Sequence, residues 1–239
     1  MTVSRESVLG TLVHRAVFMP FAKPKELRRL KSGGSLNIDP CQDRVTGDWS
    51  GEPIPDAVAA AVALLEDAIG ESLDGYGERT TWRAKLELVA DAGGAWWSGP
   101  ATDFRDLERS DRDWVSRRLK PAAAKVAEWL SQTAAEEDWK WIWSEVPLWS
   151  WASPRPTVTR VDLLVGAGEA GALGYAFDLK VTNRDYEAKD FEPSRADRAS
   201  LRRYRRGLEG TTFPGSGSNS LSILYADREG KRDACAIEV

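Results

Sequence analysis

Apolar residues recur three to five positions apart near the start of the chain, at Val8, Leu12, Val17 and Phe21, behind Ser4 as a candidate N-cap. That spacing predicts a helix over 4–21. Residues 31–55 are rich in Gly, Pro, Asp and Ser and read as a long loop. Alanine-rich 56–69 predicts a second helix, and 78–92, with Trp82, Leu86 and Val89 on one side and Gly93 and Gly94 after it, predicts a third. A longer helical stretch follows Ser110, another candidate cap, and runs to about residue 136, with Pro121 either kinking it or dividing it in two. The period then changes. Residues 139–150, 157–165 and 175–182 are rich in β-branched and aromatic side chains and separated by turns with Pro or Gly, which predicts three consecutive strands. Helical spacing returns over 195–208, a Gly/Ser/Pro loop covers 210–219, and 220–225 and 234–239 predict two final strands. No internal repeat is present.

With 239 residues, 42% of them hydrophobic, the chain is long enough for a sizeable core, either one large domain or a domain with a helical elaboration. Its formal charge of -4 and pI near 5.3 argue against coating nucleic acid through overall charge, so any basic surface is local. Two cysteines, Cys41 and Cys235, are too few for a disulfide framework or a four-cysteine metal site and fit a reducing compartment. Arg5, Glu6, His14 and Arg15 interrupt any leader-like apolar run, and no apolar stretch of spanning length occurs, so the expected location is cytoplasmic, without a membrane partner.

The most informative stretch is Arg160-Val161-Asp162-Leu163-Leu164-Val165, followed after a Gly-rich turn by Tyr175-Ala176-Phe177-Asp178-Leu179-Lys180-Val181. Strand side chains alternate between faces, so Asp178 and Lys180 project together while Phe177, Leu179 and Val181 enter the opposite, apolar face. A hairpin would set Asp162 beside Asp178, backed by Val161, Leu163 and Val165 in the core. Two adjacent carboxylates repel unless a cation lies between them, and hard oxygen ligands suit Mg²⁺ or Mn²⁺. With Lys180 beside them, that is chemistry suited to phosphodiester hydrolysis. The plain alternative is an ordinary amphipathic hairpin with charges on its wet side.

These residues resemble the PD-(D/E)XK nuclease superfamily, in which an Asp on one strand is followed on the next by Asp or Glu, any residue, and Lys. Asp162 and Asp178-Leu179-Lys180 match it. Gly10-Thr11-Leu12-Val13-His14 resembles the Gly-x-x-x-His helix of the RecB-like exonuclease branch, and Ser144-Glu145-Val146-Pro147-Leu148 is similar to the strand that carries its upstream acidic residue. The branch's Gln-x-x-x-Tyr helix corresponds to Ser200-Leu201-Arg202-Arg203-Tyr204, with the Tyr present and the Gln replaced. The resemblance implies an α/β fold, a restriction-endonuclease-like mixed sheet flanked by helices with an N-terminal helical elaboration. It implies one nuclease domain over 1–239, with 31–137 a loop and helical insertion and 138–239 the catalytic sheet core.

By the same resemblance, His14, Glu145, Asp162 and Asp178 would hold Mg²⁺ or Mn²⁺. Lys180 would assist the attacking water, and Tyr204 would complete the catalytic group or contact a phosphate. The implied substrate is DNA, as single strands or duplex ends, cut in the manner of an exonuclease in DNA processing, repair or anti-phage defence. The cysteine count excludes the iron-sulfur clip of some RecB-like relatives, and no phosphate-binding Gly-x-x-x-x-Gly-Lys-Ser/Thr loop is present. A helicase or ATPase, or a defence-complex subunit, would therefore be a separate partner.

Two further features have open readings. Arg198, Arg202, Arg203 and Arg206, with Arg195 and Arg205, make the Tyr204 helix the most basic stretch; they suit phosphate contact, or a solvated face paired with Asp190, Glu192 and Asp197. Six of the eleven tryptophans lie between Trp129 and Trp151. Trp139, Trp141 and Trp143 alternate onto one expected strand face with Glu145, either as core or as a platform for unstacked bases. The competing function is a noncatalytic subunit that binds nucleic acid or protein through the Trp-rich strand and the Arg-rich helix.

Overall fold

The computed structural model describes residues 4–18, 45–46, 104, 106–137, 139–150, 157–167, 173–209 and 219–239. The helices expected at 56–69 and 78–92 lie outside the described residues. Helix α1 (Arg5–Phe18) starts as its sequence requires: Ser4 Oγ accepts the Ser7 amide at 3.2 Å and Ser4 O accepts the Val8 amide at 3.1 Å. Its inner face, Val8, Leu9, Leu12, Val13, Ala16, Val17 and Phe18, is buried. At its end the buried Ser144 hydroxyl donates to Phe18 O at 2.7 Å, fixing the helix terminus on the neighbouring strand.

Helix α2 (Arg109–Glu136) continues through Pro121, so the proline does not divide it. Its N-cap is Glu108, which makes no side-chain cap bond, and Ser110 lies inside the helix. Small residues on its buried face (Ala122, Ala123, Ala127 and Ala134) alternate with Val115, Leu119, Val126 and Leu130, a composition that permits close packing on α1.

The sheet is mixed, with strands β1 (Val45–Thr46), β2 (Trp139–Ser150), β3 (Thr157–Ala167), β4 (Leu173–Thr182), β5 (Asn219–Asp227) and β6 (Cys235–Glu238) in sequential order. The two-residue β1 falls within the expected 31–55 loop and pairs with Ile142 and Trp141. All neighbours are antiparallel except β4 and β5. A parallel pair needs a crossover, and the segment between these strands contains helix α3 (Arg195–Glu209). A reciprocal capping box starts α3: Ser194 Oγ accepts the Asp197 amide at 3.1 Å, and Asp197 Oδ2 accepts the Ser194 amide at 3.0 Å.

Strand alternation sends side chains to two cores. Leu163, Val165, Phe177, Leu179, Leu224 and Ala226 pack with α1 and α2, whereas Leu164, Ala176, Leu221, Ile223 and Tyr225 pack with Leu201, Tyr204 and Leu208 of α3. Val161, expected beside Leu163 and Val165, belongs to the α3 core instead. It lies beyond the last β3–β4 pair, Leu163 with Phe177, where β3 is freed from that ladder. The tryptophan alternation also changes: a register shift between Trp139 and Trp141 breaks the two-residue period. It places Trp139 in the α1–α2 core against Trp129 and Phe177. The Trp141 and Trp143 side chains lie outside the described residues.

The β5–β6 turn is clamped to α2. Arg118 Nε meets Glu229 Oε1 at 2.7 Å, Lys125 Nζ meets Asp233 Oδ1 at 2.7 Å, and the buried Asp227 Oδ2 accepts the Lys231 amide at 2.8 Å. Gly230 has φ of 66°, and a Cβ there would stand 2.6 Å from Pro121 Cβ and 2.9 Å from its carbonyl carbon and oxygen. Left-handed backbone and backbone contact together exclude a side chain. Gly230→Ala is expected to destabilise the protein by about 2–4 kcal/mol, measured by urea unfolding; an unchanged midpoint would remove this turn as a fixed contact of α2.

Candidate active site

The β3–β4 ladder runs from Ala167 with Leu173 to Leu163 with Phe177. One step further the same register would set Asp162 opposite Asp178, but the strands no longer pair there, while β4 stays bonded to β5 through Thr182. The Leu179 amide is taken by Asp162 Oδ2 at 2.9 Å, so a side chain stands in for the missing main-chain acceptor. The other oxygen, Asp162 Oδ1, is met from both layers: His14 Nε2 of α1 lies at 3.2 Å and Tyr204 Oη of α3 at 3.2 Å. Helices on opposite faces of the sheet thus converge on one oxygen.

Tyr204 Oη also lies 3.1 Å from Asp178 Oδ1, and Lys180 Nζ stands 2.7 Å from Asp178 Oδ2. His14 packs edge-on against Phe18 with ring centroids 5.0 Å apart, which restricts its rotation. The structure therefore brings together His14, Asp162, Asp178, Lys180 and Tyr204, which the sequence placed on four separate elements. Tyr204 is buried, and its hydroxyl meets the two carboxylates.

Side-chain exposure grades across the group, from 5% at Asp178 and 14% at His14 to 19% at Asp162 and 33% at Lys180. Burial and the neighbouring Asp162 charge push Asp178 up to about 6, against the opposing pull of Lys180 and the Tyr204 hydrogen bond. Burial also pushes Asp162 up, but His14, the Leu179 amide and Lys180 outweigh it and hold this carboxyl below its ordinary value. Burial and both carboxylates keep the Tyr204 phenol well above its usual range, so it remains a donor. One hydroxyl carries one proton, and the two near-equal distances let it serve either carboxylate.

Among the described residues no three His, Cys, Asp or Glu side chains already form a metal-holding group. The donor chemistry nonetheless suits a hard divalent cation: Asp162 is met by the His14 imidazole and joined to Asp178 through the Tyr204 hydroxyl, and burial and Asp162 oppose the Asp178 charge even with Lys180 beside it. Glu145 stands between the pairs Ser144 with Leu163 and Val146 with Val161, which sets its backbone across the ladder from Asp162. Its side chain lies outside the described residues.

The expected phosphate-binding arginines divide. Arg202 and Arg206 are exposed, and neither has an ion pair among the described residues. Arg203 donates to Ser200 Oγ at 2.9 Å, and Arg198 meets Glu192 Oε2 at 3.5 Å. Asp197, expected to offset the α3 arginines, instead accepts from Tyr225 Oη at 3.0 Å. Tyr225 is the β5 register partner of Lys180, a neighbour of the site that sequence reasoning missed because the parallel pairing joins residues 45 positions apart. A Tyr in a strand carries no mark of which strand it will join.

Comparison with known proteins finds no matching family model, curated protein or solved structure.

The raised Asp178 has a consequence for stability with a definite sign. A carboxyl whose folded pKa exceeds its unfolded value favours folding while protonated, and that advantage is lost as pH rises from about 4 through about 6. Asp178→Asn, which cannot ionise, is expected to be more stable than wild type at pH 7 in EDTA by on the order of 2 kcal/mol. The difference should vanish near pH 4; chemical unfolding at the two pH values measures it, and equal stability at pH 7 would contradict a strained Asp178 charge.

Proposed function

We propose that this protein is a metal-dependent nuclease of restriction-endonuclease-like fold that hydrolyses phosphodiester bonds of DNA. The observation that carries the reading is the convergence of Asp162, Asp178 and Lys180 with His14 and Tyr204 at the point where β3 and β4 part. A hydrophobic core does not need two carboxylates in contact with one hydroxyl, and their burial is costly unless the arrangement has a use.

His14, Asp162 and Asp178 would hold the cation, and Glu145, whose backbone lies across the ladder from Asp162, would join them. Bound Mg²⁺ or Mn²⁺ would polarise the phosphodiester and make a bound water acidic enough to attack at neutral pH. Lys180, already anchored on Asp178, has ammonium protons left to orient that water or to stabilise charge developing on the phosphate oxygens. Tyr204 sets the separation of the two carboxylates, and the Leu179 amide fixes the rotation of Asp162. In this reading Tyr204 is a positioning residue for the carboxylates.

The test is cleavage of end-labelled linear single-stranded and double-stranded DNA and of a closed circle, with Mg²⁺, Mn²⁺ or EDTA. Wild type should cut only with metal, and Asp178→Ala and Lys180→Ala should each lower the rate by at least about 100-fold. Loss of activity on the circle alone would identify an exonuclease. A folded wild type that binds DNA but cuts none of these with either metal would assign the chain to the noncatalytic reading.

A further inference from the structure

Three arginines make contacts on the connection by which the chain leaves β4 and enters α3. Arg184 lies four residues after Lys180; its Nη2 donates to Glu192 O at 2.8 Å and its guanidinium stacks on Phe191, 4.5 Å from the ring centre. Arg232, from the β5–β6 turn, donates through Nη1 to Arg184 O and lies over the Tyr186 ring at 5.6 Å. Arg198, on the first turn of α3, faces Glu192 Oε2 at 3.5 Å. The cluster adjoins the site through one residue: Tyr225 pairs with Lys180 in the sheet, and its hydroxyl donates to Asp197 Oδ2, which lies 3.6 Å from Arg184 Nη1.

We propose that Arg184, Arg198 and Arg232 form a clamp for the phosphate backbone of the strand being cut, holding a phosphate next to the one at the Asp162–Asp178 site. This rests on the nuclease reading above and adds two residues, Arg184 and Arg232, that no sequence motif marks. The aromatic seats and main-chain acceptors hold Arg184 and Arg232 in place, so less ordering remains when a ligand binds. Their neutralisation is slight. Arg232 has no carboxylate partner among the described residues, and the contacts of Arg198 and Arg184 with carboxylates are long, at 3.5 and 3.6 Å. Asp197 is already committed to the Ser194 amide and to Tyr225, and Glu192 is 80% exposed, where an ion pair contributes little. Asp185, Glu187 and Asp190 on the same connection are exposed, so solvent screens their charge. Planar guanidiniums suit the paired oxygens of a phosphodiester.

The experiment is fluorescence anisotropy of a labelled single-stranded oligonucleotide in EDTA across a salt series, with wild type, Arg184→Gln, Arg232→Gln and Arg184→Lys, alongside metal-dependent cleavage by each. Each glutamine variant is expected to bind roughly 3- to 10-fold more weakly, and the slope of log affinity against log salt should fall by about 0.7 per charge removed. Arg184→Lys should keep the slope and lose part of the affinity, because the charge remains and the planar fork does not. Wild-type affinity and slope in the two glutamine variants would overturn the clamp. If Arg184→Gln fails to fold, Arg232→Gln and Arg184→Lys decide the matter on the same readings. Reduced slope without cleavage by any protein would keep the clamp and reject the nuclease; cleavage with an unchanged slope would do the reverse.

Discussion

Where β3 leaves β4, the Leu179 amide faces a strand that no longer answers it, and the Asp162 carboxylate takes the place of the absent carbonyl. Much of the site follows from that substitution. An unpaired amide at this depth would cost a few kcal/mol, so the strands can part only if a polar side chain is supplied at the parting. Because one Asp162 oxygen is fixed on Leu179, the other is turned to a single point, where His14 and Tyr204 reach it from separate helices. The gap between strands makes that meeting possible, since a continuous ladder would keep the two layers apart.

The two carboxylates that result occupy different electrostatic positions. Asp162 has the imidazole, the amide and the more distant ammonium to favour its charge, whereas the Asp178 side chain is less exposed and has Asp162 as a neighbour. Identical side chains are driven in opposite directions by surroundings a few ångströms apart. Lys180 and Tyr204 each lessen the cost at Asp178 without removing it. The pair is therefore held together under repulsion, with the Tyr204 hydroxyl as the only neutral group common to both among the described residues.

That tension is sustained by packing around it. The α1–α2 core anchors His14 from one side, through buried neighbours Val13 and Ala16, and Ser144 stops α1 from sliding along the sheet. On the other side Leu201 and Leu208 bracket Tyr204, and the Ser194–Asp197 box sets where α3 begins. Asp197 has a second task, since its bond to Tyr225 ties the helix start to the strand beside Lys180. One carboxylate thus connects the cap, the sheet and the cluster of arginines.

Among the described residues, the local pattern alone set the longer elements and most of their faces. The two-residue period from Leu163 to Val165 and around Asp178, the helical spacing behind Ser4 and the apolar stripe of α3 are local properties, set by how successive side chains project from a strand or a helix, and they survived into the fold. Pro121 lies within a continuous helix whose buried face packs against α1, although local propensity left division of the helix open there. Trp139 turned inward because a bulge added one residue to the count, and Val161 changed core because its strand had lost a partner. The meeting of His14 with Asp162, the sharing of Tyr204 between two carboxylates and the approach of Arg184 and Arg232 were decided only by tertiary structure. Each depends on distances between residues far apart in the chain, and nothing in the local pattern of either partner carries that information.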